Sequence, residues 1–86
     1  MRFEYDPVKS QRNLSKHRID FEEAQLLWQD IYRIELQANS TVEPRSIIIG
    51  KIAGKHWSAI VTYRDETIRI ISVRRARQSE VSLYES

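Results

Sequence analysis

The sequence predicts an α+β domain, with its helical and strand-forming segments kept apart along the chain. Three observations predict it. Between Asp6 and Trp28 the chain carries two helix-start signals and an apolar face at helical spacing. From Ile31 onward the period drops to two and β-branched residues dominate. The turns between these later segments are short, so successive strands should pair antiparallel as a meander. The predicted order is a short strand, two helices, four strands and a short helix.

Met1-Arg2-Phe3-Glu4-Tyr5 alternates and reads as the first strand. Asp6-Pro7 then opens a helix, because Asp6 can accept from free backbone N–H groups and Pro7 forfeits none. This helix should reach about His17, with Val8 and Leu14 as its apolar contacts. Asp20 lies three residues before Glu23, the spacing of an N-cap and its N3 partner. Ile19 and Ala24 flank that start as a small staple, and Phe21, Ala24, Leu27 and Trp28 form one apolar face for the core.

The strands follow. Ile31 to Leu36 is the first of the four, and Ala38 to Pro44 is a polar loop. Ser46 to Ile52 is a β-branched run that Gly50 should break. Ala53-Gly54-Lys55 turns the chain into Trp57–Tyr63, and Arg64-Asp65-Glu66 turns it again. Thr67 to Arg75 is the last strand, and Gln78 to Glu85 is a short helix with Val81, Leu83 and Tyr84 to dock it.

That last strand carries the charge. Arg69, Arg74, Arg75 and Arg77 face no acid between Thr67 and Gln78, although 14 Lys and Arg against 12 Asp and Glu leave the chain at only +2. A local cationic patch on a nearly neutral chain points to a specific anion contact rather than bulk coating of nucleic acid. Alternation sends Ile68, Ile70, Ser72 and Arg74 to one face and Arg69, Ile71, Val73 and Arg75 to the other, with both faces covered mid-strand. The same arginines also fit a solvated strand end, paired with surface carboxylates, or an acidic partner protein. With 86 residues and no cysteine, a single domain without disulfides or thiolate metal sites is expected. No apolar run approaches a membrane span and no signal-peptide pattern opens the chain, so a cytoplasmic protein is expected.

Three stretches together resemble the BrnT family of type II toxins, among the RelE-like ribonucleases. They are Met1-Arg2-Phe3-Glu4-Tyr5-Asp6-Pro7, then Asn13 to Ala24, then Arg69 to Ala76 with Glu80 and Tyr84 following. The resemblance implies a RelE-like domain and metal-independent cleavage of RNA that halts translation. It also implies neutralisation by a BrnA-type antitoxin, and an operon-repressing complex in which the antitoxin touches DNA. The chain departs from the family where Arg18 replaces a glycine and Arg77 replaces a small hydroxyl residue. Ser79, Val81 and Ser82 stand where the family's last helix is arginine-rich.

Such cleavage needs the phosphate held, the 2′-OH proton removed, the 5′-oxygen protonated and the phosphorane charge balanced. Arg74 and Arg75 are the candidate phosphate clamps, Arg74 the preferred one, with Arg64, Arg69 and Arg77 as further RNA contacts. For proton transfer the candidates are His17, Glu80 and Tyr84, the last two four apart on one helix face. Each has a structural alternative: helix-end cap for His17, ion pair for Glu80, packing for Tyr84. His56 should be exposed. Two distant histidines make no metal site and no phosphate-binding glycine loop is present, so no cofactor is expected. The expected partners are RNA and an antitoxin in a heterotetramer built on an antitoxin dimer, with operator DNA reached only through the antitoxin and no membrane. A catalytically weak, antitoxin-binding corepressor is the alternative reading.

Overall fold

The computed structural model describes residues 2–38 and 43–86, so residues 39–42 of the expected polar loop lie outside the described residues. The elements are β1 (Arg2–Glu4), α1 (Pro7–His17), α2 (Phe21–Ala24), a 3-10 turn (Gln25–Gln29), β2 (Ile34–Ala38), β3 (Arg45–Ile52), β4 (Lys55–Arg64), β5 (Thr67–Arg75) and α3 (Gln78–Glu85). The α+β class and the meander stand. The sheet runs β1-β5-β4-β3-β2, with β2 to β5 antiparallel and β1 added parallel to β5 as a fifth strand.

Both aspartates cap the helices they were read to start, while the return bond expected from Asp20 N to the Glu23 carboxylate is not among the hydrogen bonds of the described residues. Asp6 Oδ1 accepts from Val8 N at 2.9 Å, and Asp20 Oδ1 from Glu23 N at 2.8 Å. Arg18 takes the left-handed conformation, φ 66°, that a glycine would hold at less cost. The contacts of α1 differ from expectation. Val8 and Leu14 are 58% and 39% exposed, while Ser10 and Asn13 are buried. Ser10 Oγ accepts from Phe21 N at 2.9 Å. Asn13 Nδ2 donates to Ile19 O and Val73 O, both at 2.8 Å, and Asn13 Oδ1 accepts from Val73 N at 3.3 Å. Strand β1 pairs β5 only from Thr67 to Arg69, so the Asn13 amide stands in for a missing strand at Val73. Hydrogen bonding rather than apolar burial seats this helix.

The second helix keeps α geometry only to Ala24 and then tightens into the 3-10 turn. Its landing site explains why. A Cβ at Gly50 would lie 3.1 Å from Leu27 Cδ2 and 3.2 Å from Asp30 Oδ2, so this turn sits directly on the β3 backbone. Gly50 therefore does not break β3; the strand runs through it and the missing side chain admits the turn. Strand β2 begins at Ile34, not Ile31. Ile31 and Tyr32 are exposed in a turn whose Tyr32 N donates to Asp30 Oδ1 at 2.9 Å.

One face of the sheet meets α1, α2 and the 3-10 turn. There Ile19, Phe21, Ala24 and Leu27 pack on residues of β3, β4 and β5 that include Ile48, Ala59, Val61, Ile70 and Val73. The strict alternation expected along β5 fails. Ile60 pairs Ser72 but Val61 pairs Ile70, so Ile71 is a bulge with no partner on β4. Past this bulge the faces exchange. Val73 joins Ile68 and Ile70 in the core, Arg75 follows it on the helical face, and Ser72 and Arg74 turn to the other face. Helix α3 lies across that second face against β3.

Candidate functional site

The two preferred clamp residues are separated by the sheet. Arg74 pairs Ser58 across the ladder and points to α3. Its Nη1 donates to Glu80 Oε1 at 2.7 Å and its Nη2 to Glu80 Oε2 at 2.9 Å, a two-pronged ion pair. Glu80 is buried, and its Oε1 also accepts from Ser58 Oγ at 2.9 Å and Arg77 N at 2.8 Å. The Arg77 contact caps α3 from within, since Arg77 brings no acceptor of its own. The hydrogen bonds from Arg74 hold the Glu80 carboxyl down at about 2, against the opposing effect of burial, and the same bonds raise Arg74. So Arg74 and Glu80 are joined under a covering helix.

Tyr84, one turn along α3, donates to Asp30 Oδ2 at 2.6 Å. Burial first, and then this bond, push its phenol up to about 12, so it holds its proton firmly near neutrality. Burial alone would raise Asp30, but hydrogen bonds from Tyr84 and from the Lys51 and Tyr32 backbone outweigh it and lower the carboxyl. His56 is half-buried rather than exposed. Its Nε2 lies 2.7 Å from Glu85 Oε2, and its ring meets that of Tyr84 edge-on at 5.2 Å. Leu83, expected to dock, is 49% exposed; polar contacts fasten this helix instead.

Arg75 sits on the opposite face. Its guanidinium lies 5.3 Å from the Trp57 ring and its Nε donates to His56 O at 3.3 Å. It lines a recess of about 390 Å³ with His17, Arg18, Glu23, Lys55 and the apolar floor of Ile52 and Trp57. Three elements besides β5 build this recess. The end of α1 delivers His17, one helical turn after the anchored Asn13, and the left-handed Arg18 turns the chain back toward the core. The start of α2 brings Glu23, and the β3–β4 hairpin brings Lys55. His17, Arg18, Lys55 and Arg75 are in no ion pair among the described residues.

Thus two of the nominated catalytic residues, His17 and Arg75, meet; Arg74, Glu80 and Tyr84 lie on the other face. The further arginines do not join the recess. Arg69 and Arg64 reach Glu4 at 3.7 and 4.0 Å near the far end of β5, and Arg77 is exposed at the start of α3. Sequence reasoning passed over Lys55 and read Glu23 only as a helix-cap partner. No signal in the one-dimensional pattern joins either to Arg75, because the hairpin and the α1–α2 corner bring them together. Among the described residues no three His, Asp or Glu side chains gather as metal ligands, and no helix is long and apolar enough to cross a membrane.

The fold and recess define a class: a small α+β protein with a mostly cationic hollow at the end of its sheet. Residues 5–80 match the family described as ribonuclease toxin, BrnT, of type II toxin-antitoxin system, and the chain belongs to that family. Membership makes it a ribonuclease toxin whose partner is an antitoxin. No curated protein sequence matches the chain.

Proposed function

We propose that the protein is an endoribonuclease that cleaves by 2′-OH attack without a metal, and that its reaction centre is the recess shared by His17 and Arg75. The supporting observation is the convergence of His17, Arg18, Lys55 and Arg75, from distant parts of the chain, around one hollow with no ion pair among them. Arg75, backed by Trp57, presents a fixed cation to the scissile phosphate, and Lys55 and Arg18 add charge for the phosphorane. Glu23 takes the 2′-OH proton. The 2′-oxygen bonds to phosphorus, the bond to the 5′-oxygen breaks, and His17 as general acid supplies the proton that leaves with it. The products are a 2′,3′-cyclic phosphate and a 5′-hydroxyl end. Arg74, Glu80 and Tyr84 hold α3 in place.

In this reading the toxin acts in the cytoplasm, cutting RNA and so halting translation. A BrnA-type antitoxin neutralises it in a heterotetramer and carries the complex to operator DNA. The test uses protein freed of its partner, incubated with RNA in chelator. Native protein should leave cyclic-phosphate ends, and Arg75→Ala and His17→Ala should each lose about a hundredfold or more in rate with an unchanged melting temperature. Undiminished cleavage by Arg75→Ala sinks this assignment. RNA left intact by native protein that still binds antitoxin and represses the operon would favour the corepressor reading, for which the occupied Arg74–Glu80 pair is the supporting observation.

A further inference from the structure

Helix α1 carries a cationic stripe that the recess does not use. Lys9, Arg12 and Lys16 are spaced three and four apart, so they share one side of the helix, and its rise puts the outer pair about 10 Å apart. No acid lies between Pro7 and Arg18, and none of the three cations is in an ion pair among the described residues. With Ile71 and Ser72 of the bulged strand they line a second hollow of about 400 Å³. His17 belongs to both hollows, so the two adjoin.

We infer that this stripe is a track for the ribose–phosphate chain leading to the recess, so that the substrate is a single-stranded RNA several nucleotides long. The inference rests on the reading of the recess given above and extends it. The shared His17 sets the two hollows side by side, within reach of one bound chain. The floor offers little else to hold a ligand. Asn13 spends its amide on Ile19 and Val73, and Phe21 is 1% exposed. The charged groups that line this hollow are all cations, with no carboxylate on its walls. Cations with no fixed partner beside a strand edge fit a backbone, whose phosphates release counterions when bound. All three are exposed, and only Lys16, in the last turn of α1, has a role in the fold, as a cation at the helix C-terminus.

The test is a triple variant, Lys9→Gln, Arg12→Gln and Lys16→Gln, which keeps helix propensity close to native. Cleavage of a dinucleotide, with its single phosphate, and of an octanucleotide is measured across a salt series. Octanucleotide kcat/KM should fall at least about tenfold at low salt, and its log–log salt slope should lose about two units for three lost contacts. Dinucleotide cleavage should not change. An equal fall for both substrates, or for neither, overturns the track. Lost antitoxin binding with octanucleotide cleavage intact overturns it too, by giving the stripe to the antitoxin. Binding of a 2′-deoxy octanucleotide, read by anisotropy, separates the two assignments. If Arg75→Ala leaves cleavage intact but the triple variant still weakens that binding, the recess fails and the track stands.

Discussion

Glu80 shows how one side chain can look catalytic in a sequence and be structural in space. A carboxylate near arginines, four residues from a tyrosine, has the composition of an acid–base pair. In the fold it accepts from Arg74, Ser58 and Arg77 and has no free oxygen facing solvent or ligand. Its depressed carboxyl links it to stability. The folded protein keeps the group ionised where the unfolded chain takes up a proton. Its contribution is therefore full above about 4.5 and is lost as pH falls toward about 2. Glu80→Gln should cost roughly 2 kcal/mol at neutral pH, allowing for the partial solvent exposure of Arg74, and should flatten the acid limb. Urea unfolding of both proteins from pH 7 down to 2 would measure this; parallel acid limbs would count against the linkage.

At the scale of elements, α1 depends on two polar residues. Its apolar side chains point outward, and its seat is the Asn13 amide against the unpaired stretch of β5 and the Ser10 hydroxyl at the start of α2. Asn13→Leu would leave the Val73 N–H and carbonyl and the Ile19 carbonyl without partners. We expect a loss of about 3 kcal/mol in urea unfolding, larger than for Leu14→Ala on the same helix. Equal, small losses for both would mean that the helix is held some other way. The starts of both helices were well marked in the sequence, because Asp6 and Asp20 act on neighbours in the chain. The buried role of Asn13 was not, because its partner Val73 is remote and neither residue's type announces the contact. The 3-10 turn and the continuity of β3 through Gly50 escaped for the same reason: each exists because of the other.

Across the whole molecule, the bulge at Ile71 decides which side each arginine serves. Arg74 goes to α3 and Arg75 to the recess, so two adjacent residues should show opposite behaviour. Arg74→Ala should lower the melting temperature while keeping most RNA cleavage in the cold, since it leaves buried Glu80 unpaired. Arg75→Ala should do the reverse. Thermal melts and cleavage rates on the same preparations check both, and matching losses in both variants would show that the sheet does not divide their roles.

The sequence by itself determined the α+β class, the element order, both helix starts and the family likeness. These rest on period, caps and motif order, which act over a few residues or are read directly along the chain. It also nominated His17 and Arg75. Tertiary structure alone decided that these two share a hollow while Arg74, Glu80 and Tyr84 do not. A single unpaired residue in a strand reverses the facing of everything beyond it, and no local pattern records where that residue falls.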